Sequence, residues 1–166
     1  MRSTSRSHSA APLLSAAIDH ASAYVRSTMY LGSRVALAQK TVSIHAIDPW
    51  LGWDKGQPVS HFERFLKNLL DSGLCDIITP LRLTSARASL LFADQSVDFC
   101  FIDGDHSYNA VCEDLRCWFP KIRPGGLLAG HDYTGPDSFD VKRAVDEFFR
   151  APVQVSGKTW ISRKEP

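Results

Sequence analysis

The stretch that most constrains this chain is VDFCFI at Val97–Ile102, which runs directly into Asp103. It is apolar at every position but Asp98, as a strand covered on both faces should be. A second short apolar run, Leu127–Gly130, follows the turn signal Pro124-Gly125-Gly126 and ends at His131-Asp132. Between the two, Val111, Leu115 and Trp118 share one side of a helical pattern while Glu113, Asp114 and Arg116 are free to face water. Two buried strands joined through a helix form the unit of a parallel sheet.

The text on either side keeps this alternation. Val42–Ile47 reads as a strand ending at Asp48. Ser60 and Glu63 offer a capping box for a helix whose apolar face is Phe62, Phe65, Leu66 and Leu69, with Gly73 as its stop. Asp76–Leu83 reads as a strand and Ser85–Phe92 as a short helix. A helix over 138–150 turns Val141, Ala144, Val145 and Phe148 inward, and Val153–Val155 with Thr159–Ser162 closes the chain as a hairpin across Ser156-Gly157. The expectation is an α/β fold: a mostly parallel sheet with helices on both faces and an antiparallel hairpin at its C-terminal edge.

Composition narrows the function classes. The 166 residues suit one domain, and a net charge of +1 gives no electrostatic case for nucleic acid or an anionic membrane. No apolar run approaches the roughly 20 residues of a membrane span. Cys75, Cys100, Cys112 and Cys117 form no CxxC pair, so reduced thiols in a cytoplasmic protein are expected. The first forty residues differ from the rest, with Asp19 as their only acid against Arg2, Arg6, Arg26, Arg34 and Lys40. That balance suits an organellar transit peptide. It suits equally a frayed N-terminus leading into a helix, and the helical spacing of Leu14, Ile18, Ala21 and Val25 favours the second reading. The expected division is therefore a helical or poorly ordered segment at 1–40 and an α/β domain at 41–166.

In an open parallel sheet, ligands bind beyond the carboxyl ends of the strands. Three expected strand ends here carry acids: Asp48, Asp103 and His131-Asp132. A carboxylate at Asp48 can accept both hydroxyls of a ribose, and Trp50 can either cover an adenosine or pack the loop. Gly104 allows the sharp turn that gathers Asp103, Asp105 and His106, with Asp105 also suited to capping the next helix. Oxygen ligands from Asp103 and Asp132 suit Mg²⁺ or another hard divalent ion. His131 as a third ligand tilts that preference toward Mn²⁺, Fe²⁺ or Zn²⁺, unless its ring merely shapes the loop. His106 has the ordinary pKa of a general base at neutral pH, or is an exposed residue at a helix start.

VDFCFIDGDHSYNAVCEDLRCWFPKIRPGGLLAGHDY, followed by VKRAVDEFF, resembles the C-terminal half of class I S-adenosylmethionine-dependent methyltransferases, the group with FIDGDHSY and GGxxxGHDY segments. IHAIDPWLGW resembles that family's second strand, and LRLTSARASLLFADQSVDF its third strand and the loop near the adenine. The resemblance implies a Rossmann-like three-layer α/β/α sandwich and S-adenosyl-L-methionine as cofactor. It implies cofactor contacts at Asp48, Trp50, Thr84, Ser85 and Asp103, with Thr84 standing where relatives often have Asp. It implies Asp103, Asp132 and His131 as ligands of Mg²⁺ or another divalent cation, and His106 as the base. The implied reaction is O-methylation of a small molecule or sugar hydroxyl, although relatives include hydroxylase-like proteins of antibiotic pathways. The implied partner is a small-molecule or glycan acceptor, with no nucleic acid and no membrane.

The family opens its sheet with a strand that runs into an E-x-G-x-x-x-G loop, which backs the methionine part of the cofactor. Here the corresponding text, SAAIDHASAYVRSTMYLGSRVALAQK, holds one glycine, Gly32, as a vestige. The expectation is a first strand and glycine loop that are degenerate or missing, as in a truncated gene or a reading frame joined near residue 40. The alternative to a working methyltransferase is then a truncated, non-catalytic chain that keeps the fold but cannot hold the cofactor, and an exposed sheet edge invites a homo-oligomer. The flanking strands must then pair directly, leave a gap, or borrow a substitute from residues 1–40.

Overall fold

The computed structural model describes residues 17–19, 26–54, 57–135 and 138–165. Its framework is a seven-stranded sheet. The strands are β1 (Ala17–Asp19), β2 (Ile44–Ile47), β5 (Ile78–Leu81), β6 (Val97–Asp103), β7 (Ile122–Gly130), β8 (Gln154–Ser156) and β9 (Thr159–Arg163), in the order β5-β2-β1-β6-β7-β9-β8. The first five in that order are parallel, and β9 and β8 are antiparallel. A separate antiparallel pair, β3 (Leu51–Asp54) and β4 (Gln57–Ser60), follows β2.

The centre of the sheet settles the question left by the N-terminal text. The first strand is degenerate and present: β1 has three residues and lies between β2 and β6, pairing Ile18 with Ile47 and Asp19 with Asp103. The substitute comes from residues 1–40. Ile18 is therefore in a strand and not in the expected helix, while Leu14, Ala21 and Val25 lie outside the described residues. Helix α1 (Arg26–Leu37) follows, and Gly32 sits inside it, so that residue is no vestige of a loop. A Cβ at Gly32 would come within 2.7 Å of Ile78 Cδ1 and 3.1 Å of Leu74 Cδ1, so the missing side chain lets α1 lie close to the sheet.

Helices cover both faces, and strand alternation separates two cores. On one side α1 and α2 (Phe62–Ser72) bury Val35, Phe65 and Leu69 against Ile44, Ala46 and Ile78. On the other, α3 (Ser85–Ser89), α4 (Tyr108–Trp118) and α5 (Phe139–Phe149) bury Leu115, Trp118 and Val145 against Ile47, Cys100 and Leu128. Apolar burial holds α5 in place. Its i,i+4 pairs Lys142–Asp146 and Arg143–Glu147 are about half exposed, and solvent screening leaves such pairs little weight.

Three local expectations are corrected. Pro124-Gly125-Gly126 lies within β7, where a register shift between Val97 and Phe99 absorbs the extra residues. Helix α2 is capped at His61 without a side-chain bond, so the Ser60–Glu63 capping box does not form, and Ser60 Oγ accepts the Phe62 N–H at 3.4 Å. The β3–β4 hairpin was not expected, because LGWDKGQPVS carries no alternating apolar pattern. All four cysteines are free thiols. Among the described residues no helix is long and apolar enough to cross a membrane.

Candidate active site

The sheet reverses its winding at β1. From there the chain builds outward through β2 and β5, then crosses to β6 and β7 on the other side. At such a switch point the loops above adjacent strands diverge and leave a crevice. The register places the ends of the three middle strands side by side: Ile47 beside Ile18, and Asp19 beside Asp103. Sequence reading had not singled out Asp19. Its signal was the E-x-G-x-x-x-G spacing itself, which Asp19, Ala21 and Val25 match with an acid followed by two non-glycine residues.

A cavity of about 310 Å³ opens over this crevice, lined by Asp48, Thr84, Ser85, Ala86, Gly104 and Asp105 among others. Its volume is at the lower bound of ligand sites, enough for a nucleoside. Asp48 is buried, and its Oδ1 accepts the N–H of Trp50. Trp50 has φ +49 and packs its ring 4.9 Å from Phe62 and 4.7 Å from Phe65. The tryptophan thus packs the loop and does not line the cavity. Ser85 is held by a 2.8 Å hydrogen bond donated by Trp118 Nε1, a ring with no exposure. Thr84 is the N-terminal cap of α3 by position, without a side-chain bond. Asp105 Oδ1 accepts the Ser107 N–H at 2.8 Å and so fixes the turn before α4, but the cap position of that helix is Ser107, not Asp105 as expected. Glu113 and Asp114, in the middle of α4, complete the far wall and were not anticipated, since their spacing reads as a solvated helix face; Asp114 is instead buried.

Beside this cavity the ends of β6 and β7 bring four side chains together. Asp132 Oδ2 lies 3.1 Å from His131 Nδ1 and 3.3 Å from His106 Nε2, and Asp103 Oδ1 is 3.9 Å from both nitrogens. One ligand atom each from Asp103, His131 and Asp132 lie within 4.8 Å of one another, close enough for a single metal ion. The backbone fixes this gathering. The His131 N–H donates to Ile102 O at 3.0 Å, and Asp132 takes φ +52, a left-handed conformation that costs a non-glycine residue energy and persists where its surroundings impose it.

The two acids respond oppositely to this setting. Burial pushes the Asp103 carboxyl above its usual range, more than the neighbouring imidazoles can offset, and the Asp132 charge adds to the rise. Burial also acts upward on Asp132, but the bond from His131 and the charges of His131, His106 and Lys158 outweigh it and hold that group low. Lys158 enters from the β8–β9 turn, its Nζ 3.5 Å from Asp132 Oδ1. That turn is fastened to the same loop, with the Tyr133 N–H donating to Lys158 O at 2.9 Å and Thr134 Oγ1 to Gly157 O at 3.0 Å. Sequence alone gave no reason to place Lys158 here, because only the pairing of β9 with β7 delivers it.

A family model described as a methyltransferase domain matches residues 26–133. The uncharacterized protein y4gI of Sinorhizobium fredii is 26% identical over 113 residues, 59% of this chain and 11% of that protein. The chain therefore spans about a tenth of the curated relative's length. Among solved structures, a protein titled CalS11, TDP-rhamnose 3'-O-methyltransferase of calicheamicin biosynthesis, superposes with a TM-score of 0.64 at 13% identity, covering 92% of this chain and 72% of that one. A structure titled putative rRNA-methylase from Clostridium thermocellum gives 0.61 at 17% identity, over 92% of this chain and 88% of its own. At these identities the structures speak for the fold.

Proposed function

Because this chain belongs to the methyltransferase-domain family, we propose that it transfers a methyl group from S-adenosylmethionine to a hydroxyl of a small molecule or sugar, assisted by a divalent cation. One observation carries the reading: the cavity edged by Asp48 and Ser85 abuts the Asp103–His131–Asp132 cluster along consecutive strand ends. A cofactor place and a cation place side by side suit transfer between two bound partners, where proximity supplies much of the acceleration.

The residues fit both groups. Asp48 at the end of β2 is placed for the ribose hydroxyls. Ser85, fixed by Trp118, and Thr84 frame the adenine end, and Gly104 leaves room for close approach above β6. Bound here, the cofactor supplies an electrophilic sulfonium methyl for in-line transfer to oxygen. A divalent ion on Asp103, Asp132 and His131 would lower the pKa of an acceptor hydroxyl. His106 Nε2 faces the same cluster with its side chain 44% exposed, so an acceptor can reach it. It takes the hydroxyl proton as the carbon–oxygen bond forms and the sulfur–carbon bond breaks. CalS11, a TDP-rhamnose 3'-O-methyltransferase, supports a glycan acceptor by analogy of fold.

The test is transfer of radiolabelled methyl to a panel of hydroxylated sugars and sugar nucleotides, with and without Mg²⁺ or Mn²⁺. His106→Ala should lower turnover roughly 10²–10⁴-fold while leaving cofactor binding intact. An unchanged rate rejects His106 as the base, and label on no member of the panel by a chain that binds the cofactor rejects the acceptor class.

A second reading has its own observation. Counted from Asp19, the positions that carry glycine in the family are Ala21 and Val25 in this sequence, and neither residue has glycine's freedom of backbone conformation. A chain that keeps the fold without holding the cofactor would show no binding in any assay.

A further inference from the structure

We infer that the centre at the ends of β6 and β7 is a mixed nitrogen–oxygen site for a transition ion of the Mn²⁺ to Zn²⁺ series, with His131 Nδ1 as the ligand that selects against Mg²⁺. The inference rests on the cation-assisted reading above and deepens it by naming the class of ion.

The donor set carries the argument. Mg²⁺ takes an octahedron of oxygens, keeps several waters and is held by one or two carboxylates. Imidazole suits Zn²⁺, Fe²⁺ and their neighbours, whereas carboxylate and water suit Mg²⁺ and Ca²⁺. Here the space between Asp103 and Asp132 is closed on one side by His131 Nδ1, 3.1 Å from one acid and 3.9 Å from the other. An ion with bonds near 2.1 Å sets its tetrahedral nitrogen–oxygen edges at roughly 3.4 Å. The observed separations bracket that value, so an ion can bind with sub-ångström adjustments of side chains already gathered. To seat an all-oxygen octahedron, the His131 ring would have to leave.

The backbone that carries the ring is fixed. The His131 N–H is bonded to Ile102 O on the neighbouring strand, and the preceding residue, Gly130, is wedged against Trp160. Asp132, strained at φ +52, keeps its carboxylate turned back toward the imidazole. Strain of this kind marks functional geometry, and here it aligns one nitrogen with two oxygens. His106 Nε2 lies at 3.3 Å from the same Asp132 oxygen, on the exposed side where an acceptor enters.

The experiment uses the full chain and compares binding of Mg²⁺, Mn²⁺ and Zn²⁺ by calorimetry in the wild type, His131→Asp and Asp103→Asn. Any site of this kind prefers Zn²⁺ to Mg²⁺, so the informative quantity is the change of that preference. The expected result is that His131→Asp narrows the Zn²⁺-over-Mg²⁺ ratio by roughly tenfold or more. Pulsed electron paramagnetic resonance of bound Mn²⁺ should show coupling to an imidazole nitrogen in the wild type and in His106→Ala, and none in His131→Asp. The wild-type spectrum needs no variant to fold, so a site without nitrogen coupling overturns the inference by itself, as does an unchanged ion ratio in a folded His131→Asp. If the wild type binds none of the three ions, or Asp103→Asn binds them equally well, the cation-assisted reading itself fails and this inference falls with it.

Discussion

Gly130 is the residue on which the packing of this fold and the geometry of its site depend together. A Cβ there would lie 2.6 Å from Ile102 O and 2.7 Å from both Cε2 and Cζ2 of Trp160. Neither neighbour can yield, because that carbonyl accepts the His131 N–H and Trp160 is 1% exposed within the core. Overpacking of this kind costs about 1–3 kcal/mol, and a backbone atom on one side puts Gly130→Ala near the upper end, about 3 kcal/mol. For a chain of this size each kcal/mol lowers Tm by roughly 2–4 °C, so the expected fall is about 6–12 °C by circular dichroism. Gly126→Ala is the comparison. Its Cβ would meet Asp98 O and Arg123 O at 2.9 Å, but it lies in the middle of β7, away from the His131-Asp132 turn that follows Gly130. Both variants should lose stability, and only Gly130→Ala should also weaken divalent-ion binding, by roughly tenfold or more. An unchanged Tm in Gly130→Ala, or equal loss of ion binding in the two variants, refutes the reasoning.

The charges of the cluster give two further expectations. Burial raises the folded-state pKa of Asp103, so its ionisation opposes folding above the unfolded value and the opposition is relieved on acidification. Without metal, Asp103→Asn should therefore unfold at higher urea than the parent at neutral pH, with the advantage fading as the buffer enters the carboxylate range. The same variant should bind divalent ions worse, and a neutral-pH loss of stability would contradict the assignment. Lys158 already neutralises Asp132 from 3.5 Å, so Lys158→Gln should tighten ion binding roughly three- to tenfold at low salt, with less gain at high salt. Weaker binding in that variant would show that the lysine supports the site and does not compete for it.

Much of this was legible in the text of the chain because the governing patterns are local. VDFCFID and LLAGHD announce buried strands by apolarity and end on acids, and the helices between them keep their apolar faces at regular spacing. Asp103, His106, His131 and Asp132 fall together because adjacent parallel strands put their ends at one level. What stayed hidden depends on contacts distant in sequence. The three residues of β1 have too little apolar length to announce a strand, and it is the pairing of Ile18 with Ile47 and Ile102 that makes them one. Gly32 reads as a loop glycine until Ile78 is seen against it. Trp50 could serve an adenosine or the loop, and Phe62 and Phe65 decide for the loop. Lys158 is a turn residue by sequence and a neighbour of the site only through the β7–β9 pairing.

The central claim is that the cavity beside Asp48 holds S-adenosylmethionine although the sequence has Ala21 and Val25 where the family carries glycine. Calorimetric titration of the full chain with this cofactor tests it most directly, with Asp48→Ala measured in parallel. The account predicts saturable one-to-one binding that Asp48→Ala weakens, since that change removes the carboxylate proposed to hold the ribose hydroxyls. No binding at about 1 mM cofactor, or binding indifferent to Asp48, would contradict it.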